Sequence, residues 1–128
     1  MKQILPFIIL FYSTNCLAVS WKSFGNNSMG YSYVDVDSIN KRNNIVDYTR
    51  LFDYSQTSPI GVNSSISRFT VDCLSEKLTW KSSIYYSKAM GKGKIIKKRK
   101  SNKTLYPRPG TIEFITMKFA CSYKQLNT

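Results

Sequence analysis

The chain has 128 residues, which is enough for one domain, and carries 19 lysines and arginines against seven acidic residues. It contains three cysteines and no histidine. Without an imidazole there is no Ser-His-Asp or Cys-His relay and no histidine-bound zinc or haem. The formal net charge of +12 favours acidic partners or serves solubility. This composition points away from an enzyme, and we expect neither a cofactor nor a metal ion.

Residues 1–18 have the pattern of a secretory signal peptide. Lys2 supplies a positive charge, residues 4–12 form a short apolar run, and Cys16 and Ala18 occupy the positions that require small side chains. We expect cleavage after Ala18, which leaves residues 19–128 as the mature chain. We therefore expect the mature chain to leave the cytoplasm.

Two alternatives to a cleaved leader stay open. A membrane anchor would need about 20 apolar residues, roughly twice the length of this run, and Pro6 lies inside it. We therefore expect no transmembrane segment. A bacterial lipoprotein would carry its lipid on Cys16, but Asn15 stands where such sites have glycine or alanine. All of these alternatives place the domain outside the cytoplasm.

Removal of the leader takes away Cys16 and leaves Cys73 and Cys121, 48 positions apart. An even number of cysteines in an exported protein predicts a disulfide. Closing a loop of this length stabilises a fold by roughly 4 kcal/mol in the chain-entropy model. A redox-active pair is the alternative, but it would favour the Cys-x-x-Cys spacing, which is absent.

The mature chain up to about Tyr86 alternates apolar and polar residues and is rich in β-branched and aromatic residues, which predicts antiparallel strands. The first strand contains Trp21 and Phe24, and the others lie at about 31–36, 45–54, 68–73 and 77–86. Residues 37–40 resemble a capped helical turn. In the fifth strand, regular alternation places residues 78, 80, 82, 84 and 86 on one face.

A terminal helix of about three turns is predicted from Thr111 onward. Ile112, Ile115 and Phe119 recur at helical spacing, and Glu113 lies in the first turn, where it complements the helix dipole. Cys121 falls at the end of this helix, so a disulfide would tie the helix to the fourth strand. The predicted fold is α+β and mainly β, a single antiparallel sheet of about six strands with a disulfide-tethered C-terminal helix packed on one face.

Positive charge is concentrated in residues 92–103, which we call the basic segment. Eleven basic residues and no acidic one lie between Glu76 and Glu113, so this third of the chain carries the whole net charge of the mature protein, +11. The segment fits a sixth, edge strand, where lysines also block aggregation. Such a density suits polyanions, whereas a solvated loop that keeps the domain soluble is the alternative. The candidate ligand-binding residues are Lys92, Lys94, Lys97, Lys98, Arg99, Lys100 and Lys103.

Carboxylates offer the remaining route to an enzyme. Asp35 and Asp37 share a strand face, as Asp47 and Asp53 do, and paired carboxylates can act in acid-base catalysis. Aspartates at strand edges more often cap turns or pair with lysine or arginine. Because neither a nucleophile nor a set of metal ligands accompanies them, we predict no enzymatic activity.

Six stretches of the mature chain occur in an order that is typical of one family. They are Trp21-Lys22-Ser23, Tyr33-Val34-Asp35-Val36-Asp37-Ser38-Ile39, Leu51-Phe52-Asp53-Tyr54, Phe69-Thr70-Val71-Asp72-Cys73, Ser87-Lys88-Ala89-Met90-Gly91-Lys92-Gly93, and Pro109-Gly110-Thr111 before a helix that ends in Cys121. Nearly all of residues 21–122 resembles the surface-adhesin protein E family, small exported domains of Gram-negative bacteria. The resemblance implies a location in the periplasm, at the outer-membrane surface or in the medium. The resemblance implies one adhesin E-like domain over residues 19–128, with the helix bonded to the concave side of the sheet through Cys73 and Cys121.

The resemblance also implies a non-enzymatic binding module, because the family is named after an adhesin that binds host extracellular-matrix and serum proteins. We expect such proteins, or polyanions such as sulfated glycans and lipopolysaccharide, to be engaged through the basic segment. Nucleic acid is not expected as a partner of an exported chain. The alternative is a structural or accessory envelope protein whose basic segment is solubilising or contacts anionic lipid. The oligomeric state stays open, a dimer included.

Overall fold

Each strand of the chain pairs with the strand that follows it. In the computed structural model, which describes residues 19–124, six strands form one antiparallel sheet whose spatial order equals the chain order. This confirms the predicted α+β architecture. The elements are β1 (Trp21–Asn27), β2 (Gly30–Arg42), β3 (Ile45–Tyr54), β4 (Ser64–Asp72), β5 (Lys77–Tyr86), β6 (Ile95–Leu105) and the helix α1 (Ile112–Ser122). The predicted leader, with Cys16, lies outside the described residues.

The core lies between one face of the sheet and α1, and we call this face the helix face. Residues that are paired across antiparallel strands point to the same side, so the register assigns the face of each residue. Tyr48 is opposite Phe69, and Phe69 is opposite Trp80. The buried residues of the core cluster come from the four inner strands and from α1; they are Val34, Ile39, Val46, Tyr48, Phe69, Val71, Leu78, Met117 and Ala120.

Helix α1 begins where it was predicted, directly after Thr111, and Thr111 caps it. The Thr111 side chain accepts a hydrogen bond from the Phe114 backbone amide at 3.2 Å, which satisfies one of the free N–H groups of the first turn. The predicted apolar stripe is wrong at Ile115, which is 43% exposed. Thr116 is buried in its place because its hydroxyl donates to the Ile112 carbonyl at 2.8 Å and so needs no partner outside the helix.

The disulfide between Cys73 and Cys121 is present, with a Cα–Cα distance of 5.9 Å. It joins the residue after β4 to the last turn of α1, which confirms the predicted pairing. Phe119, two residues earlier, packs edge-on against Phe24 of β1 at a centroid distance of 4.9 Å. The helix is therefore fixed both to the middle of the sheet and to its first strand. Within residues 19–124, no helix is long and apolar enough to cross a membrane.

Residues 37–40 do not form the predicted helical turn. They continue β2, whose pairing with β3 shifts register between Asp35 and Asn40. The Ser38 hydroxyl donates to the Asp35 carbonyl at 2.6 Å and accepts from the Thr49 amide at 3.0 Å. The polar residues that suggested a helix cap thus satisfy the backbone of a β-bulge, and the irregularity buries Ile39 in the core.

A second irregularity inverts the predicted alternation of β5. Arg68 pairs with Ser82 and the next residue, Phe69, pairs with Trp80, so Lys81 is left over. Beyond Lys81 the side that faces α1 therefore carries Ser83 and Tyr85. The prediction that residues 78, 80, 82, 84 and 86 share one face is wrong after Trp80, because one extra residue reverses the alternation of the strand.

A 3-10 turn at Ala89–Gly91 connects β5 to the basic segment and packs on the opposite side of the sheet, the outer face. A side chain at Gly91 would come within 2.6 Å of the Ile66 side chain, so the close approach requires glycine. The Met90 amide donates to Asp53 at 3.0 Å and the Gly91 amide to Ser64 at 2.9 Å. These bonds fix the point at which the basic segment starts.

Candidate functional site

The basic segment forms the edge of the sheet, as predicted. Lys92 and Lys94 lie in the turn before β6, and the other five candidate cations lie within β6. All seven side chains are exposed. Because β6 pairs only with β5, no strand among the described residues covers its second edge.

The register divides these cations between the two faces of the sheet. Lys97 is opposite Tyr85, Arg99 is opposite Ser83, and Lys103 is opposite Trp80, so these three lie on the helix face. Lys98 is opposite Ile84 and Lys100 is opposite Ser82, which places them on the outer face. The structure therefore brings the predicted residues to one strand but not to one surface.

Helix α1 covers only part of the helix face, and the uncovered part is an open cavity of about 280 Å³ that we call the trough. Its floor combines aromatic rings, serine hydroxyls and one guanidinium. The lining residues are Met29, Arg50, Phe52, Tyr54, Ser65, Ser67, Phe69, Trp80, Ser83 and Tyr85. The Arg99 side chain reaches the edge of this surface from β6, with its guanidinium carbon 5.2 Å from the centre of the Trp80 ring.

Two arginines thus rest on neighbouring rings of the trough. The guanidinium carbon of Arg50 lies 4.7 Å from the centre of Phe69, and Phe69 is directly opposite Trp80, which carries Arg99. Stacking on a ring face is favourable for a guanidinium and leaves the N–H groups at its rim free to donate. The two cations belong to strands that are not neighbours, β3 and β6, and therefore come from distant parts of the sequence.

Tyr48 marks the end of the trough that lies towards the helix. It stacks on Phe69 at a centroid distance of 5.6 Å and is 1% exposed. Burial raises the pKa of Tyr48 to about 12, while the nearby charge of Arg50 opposes this rise and that of Glu113 adds to it. The charge of the Arg50 guanidinium therefore influences the buried phenol of Tyr48 as well as the open side of the trough.

The aspartates on the outer face have structural partners. Asp47 accepts from Arg42 at 2.8 Å and from the Thr70 hydroxyl at 2.6 Å, and Asp72 accepts from the Leu74 amide at 3.0 Å. Asp47 and Asp72 thus have the ion-pair and turn-capping roles that the sequence suggested, and Asp35 and Asp53 accept from the backbone amides of Asp37 and Met90. Among residues 19–124 there is no cluster of three or more cysteine, aspartate or glutamate residues that could hold a metal ion.

Arg50 is the residue of this surface that sequence reasoning did not select. The alternation of β3 already placed it on one face with Phe52 and Tyr54, but an isolated arginine in a strand carries no motif. Its link to the basic segment depends on the extra residue at Lys81, which turns Ser83 and hence Arg99 to the helix face. Because regular alternation in β5 would put Ser83 on the opposite face, this site could not be predicted without the strand register.

Comparison with known proteins identifies a family and several solved structures. The profile of the family described as surface-adhesin protein E matches residues 21–122. The selenomethionine form of Haemophilus influenzae protein E superposes with a TM-score of 0.62 at 20% identity, covering 71% of this chain and 78% of that one. Protein E from non-typeable Haemophilus influenzae gives 0.61 at 18% identity, covering 77% and 73%. No curated protein sequence matches the chain. At these identities the solved structures show a shared fold.

Proposed function

Since the chain belongs to the surface-adhesin protein E family, we propose that it is an exported, non-enzymatic adhesin that engages its partners through the basic segment. The partners are host matrix or serum proteins, or anionic glycans. The family description supports the adhesin role and a place at the cell surface. The choice of the basic segment rests on the charge distribution of this chain.

The observation that carries the proposal is the unneutralised charge of β6. The ion pairs of the described residues are Arg42 with Asp47 and Lys118 with Glu76, so no cation of the basic segment is bound to an acid. Successive residues on one face of a strand are about 7 Å apart. Cations at this spacing on both faces of an open edge attract a polyanion from either side.

The first experiment measures binding to immobilised heparin as a function of NaCl concentration. We expect the wild-type mature domain to elute at higher salt than a variant with Lys97, Lys98, Arg99 and Lys100 changed to Ser. The slope of log affinity against log salt should fall by about one for each anionic group that the variant no longer binds, because binding each such group releases counterions. Both proteins are compared at the same pH and after a check of their thermal unfolding.

A matched control removes the same number of charges elsewhere, with Lys22, Lys41, Lys77 and Lys124 changed to Ser; these side chains are exposed and lie outside the basic segment. This control should lose much less affinity. Equal losses in the two variants, or no retention of the wild type at low salt, would contradict the proposal. Binding to anionic lipid vesicles without binding to heparin would instead support the envelope alternative.

A further inference from the structure

We propose that the trough is a subsite for one sulfated sugar unit, with Arg50 and Arg99 binding the sulfate group and the aromatic floor holding the sugar ring. The inference deepens the proposed function and rests on it, because it assigns recognition of a sulfated glycan to one face of the edge strand. It separates a general attraction of the basic segment for anions from a specific contact in the trough.

The first observation is a row of side chains that crosses four strands. Arg50 is opposite Ser67, Ser67 is opposite Ser83, and Ser83 is opposite Arg99. Neighbouring strands are about 4.8 Å apart, so the backbones of the two arginines are about 14 Å apart with two serines between them, and the guanidiniums lean inward over the neighbouring rings of Phe69 and Trp80. Every group in this row is a hydrogen-bond donor, and none is acidic. The row is therefore complementary to an oxyanion bound between the two arginines.

The second observation is an unmet hydrogen bond of Arg50. Its Nη1 atom is buried and has no hydrogen-bond partner among the residues that the structure describes. A guanidinium carries five N–H donors, and a buried donor without an acceptor is costly. Phe69 holds the group by stacking but offers no acceptor oxygen. The buried Nη1 is closed to a ligand, but Arg50 as a whole is only half-buried and lines the trough, so its other N–H groups can bind a sulfate oxygen through charge-assisted bonds in the planar geometry that arginine favours.

The third observation is the direction of the hydroxyl chain. The Trp80 indole N–H can only donate, and it donates to the Ser83 hydroxyl at 2.7 Å. Ser83 is buried and its hydroxyl lies 2.5 Å from that of Ser67, a pair in which either oxygen can donate. Donation by Ser83 satisfies its buried hydrogen, and in that arrangement the Ser67 hydrogen is free to donate into the trough. The chain of bonds therefore ends in one more donor beside Arg50.

These groups fit a sugar better than a peptide. β3, β4 and β5 are inner strands whose backbone groups are bonded to neighbouring strands, so the floor presents side chains alone and cannot extend a bound peptide as a further strand. Rings of Phe52, Trp80 and Tyr85 supply apolar faces, and serines supply hydroxyls. A volume of about 280 Å³ is at the small end for ligand pockets and suits one sugar unit of a longer chain.

Lys97 extends the site along the edge strand. It lies on the same face as Arg99 and two residues from it, about 7 Å along β6, and it is opposite Tyr85 at the floor of the trough. A sulfated chain that leaves the trough in this direction meets a second cation. Lys98 and Lys100, on the outer face, have the same charge and the same strand but do not reach the bound unit.

The test uses the mature domain and a heparin-derived hexasaccharide in solution. The variant Lys97→Gln/Arg99→Gln and the control Lys98→Gln/Lys100→Gln each remove two charges from β6. We expect the first to lose affinity about tenfold or more beyond the second, and Arg50→Gln, which removes a single charge, to lose about tenfold. Arg50→Lys keeps the charge but not the planar fork, so it should recover only part of that loss.

A spectroscopic readout reports on the trough itself. In a Trp21→Phe background the remaining tryptophan is Trp80, so its fluorescence should change on addition of the hexasaccharide but not of the desulfated form. Inorganic sulfate alone should compete at millimolar concentration. Thermal unfolding of each variant confirms that a loss of binding is not a loss of fold.

The outcomes separate the two hypotheses. Equal losses from the two β6 pairs, with no effect of Arg50→Gln, would overturn the trough and leave the basic segment as the binding surface. Absence of hexasaccharide binding by the wild type would overturn both the trough as a subsite and the binding of glycans by the basic segment. A polyglutamate peptide that binds with the same dependence on Arg50 and with higher affinity would assign the trough to acidic peptides and overturn the glycan.

Discussion

Tyr48 and Arg50 stand two positions apart on β3 and serve different environments. Tyr48 is sealed under α1, whereas Arg50 lies at the border of the open trough, and both contact the ring of Phe69. The ring thus joins the core to the candidate site. A change at Phe69 would therefore disturb stability and binding together, so the flanking residues are the better targets for mutation.

Tyr48 gives the domain a pH dependence in the alkaline range. The phenol has a pKa of 10.0 in an unfolded chain and about 12 in the fold, because burial disfavours its anion. The folded state therefore keeps the proton more tightly, and the resulting stability is complete below pH 10 and lost as the pH rises to 12. We expect the free energy of unfolding to fall by about 3 kcal/mol from this group.

The measurement is urea unfolding at pH 7, 10 and 11.5, followed by circular dichroism. Tyr48→Phe is the matched control, since it keeps the stacked ring and removes the proton. Its stability should depend less on pH above 10 than that of the wild type. An identical alkaline loss in both proteins would show that Tyr48 does not cause the effect.

At the scale of elements, α1 depends on its covalent tether. Thr116, Met117 and Ala120 are the buried residues of the helix, and two of these have small side chains. Phe114 and Phe119 add partly buried rings, so the packing of this three-turn helix rests on a few side chains. The disulfide adds to this packing, because it restricts the unfolded chain and holds α1 over the core.

Loss of the disulfide should therefore lower the free energy of unfolding by roughly 4 kcal/mol, the value for a loop of 48 residues. The variant is Cys73→Ser/Cys121→Ser, which leaves no free thiol in the mature chain, and the measurement is the urea midpoint with and without reductant. Reductant should destabilise the wild type and leave the variant unchanged. A wild type that is insensitive to reductant and shows two free thiols would contradict the expectation.

The sequence predicted the elements better than their faces. Strand order, the start of the helix after Thr111 and the disulfide follow from local patterns of apolar residues and from the cysteine count. The irregularities at residues 36–39 and at Lys81 leave no comparable pattern, because a bulge is defined by the partner strand. One extra residue reverses the face of everything after it, which is why Arg99 and the trough could not be connected from the sequence.

At the scale of the whole molecule, the sheet begins directly after the predicted cleavage site. The Ser20 carbonyl accepts from the Val36 amide at 3.0 Å, and β1 begins at Trp21. Cleavage after Ala18 would therefore leave a mature chain whose second residue is already bonded to the sheet.

We expect mass spectrometry of the protein purified from a bacterial host to give an unmodified chain that begins at Val19. An Ala18→Gln variant, which places a large side chain at the cleavage site, should retain the leader. A chain that begins at Cys16 with a lipid mass would contradict this expectation and establish the lipoprotein alternative. Cell fractionation of the same samples distinguishes surface display from a soluble periplasmic pool.

The disulfide also divides the chain into a part that would carry a pulling force and a part that is closed into a covalent ring. A tensile force applied between residues 19 and 124 runs along the backbone to Cys73, crosses the sulfur bridge and leaves through Cys121. Residues 74–120, which contain β5, β6 and the basic segment, lie in the ring and cannot be drawn out while the bridge is intact. Pulling on the two ends would therefore unfold the first strands, whereas β6, which carries the positive charge, could not be extended.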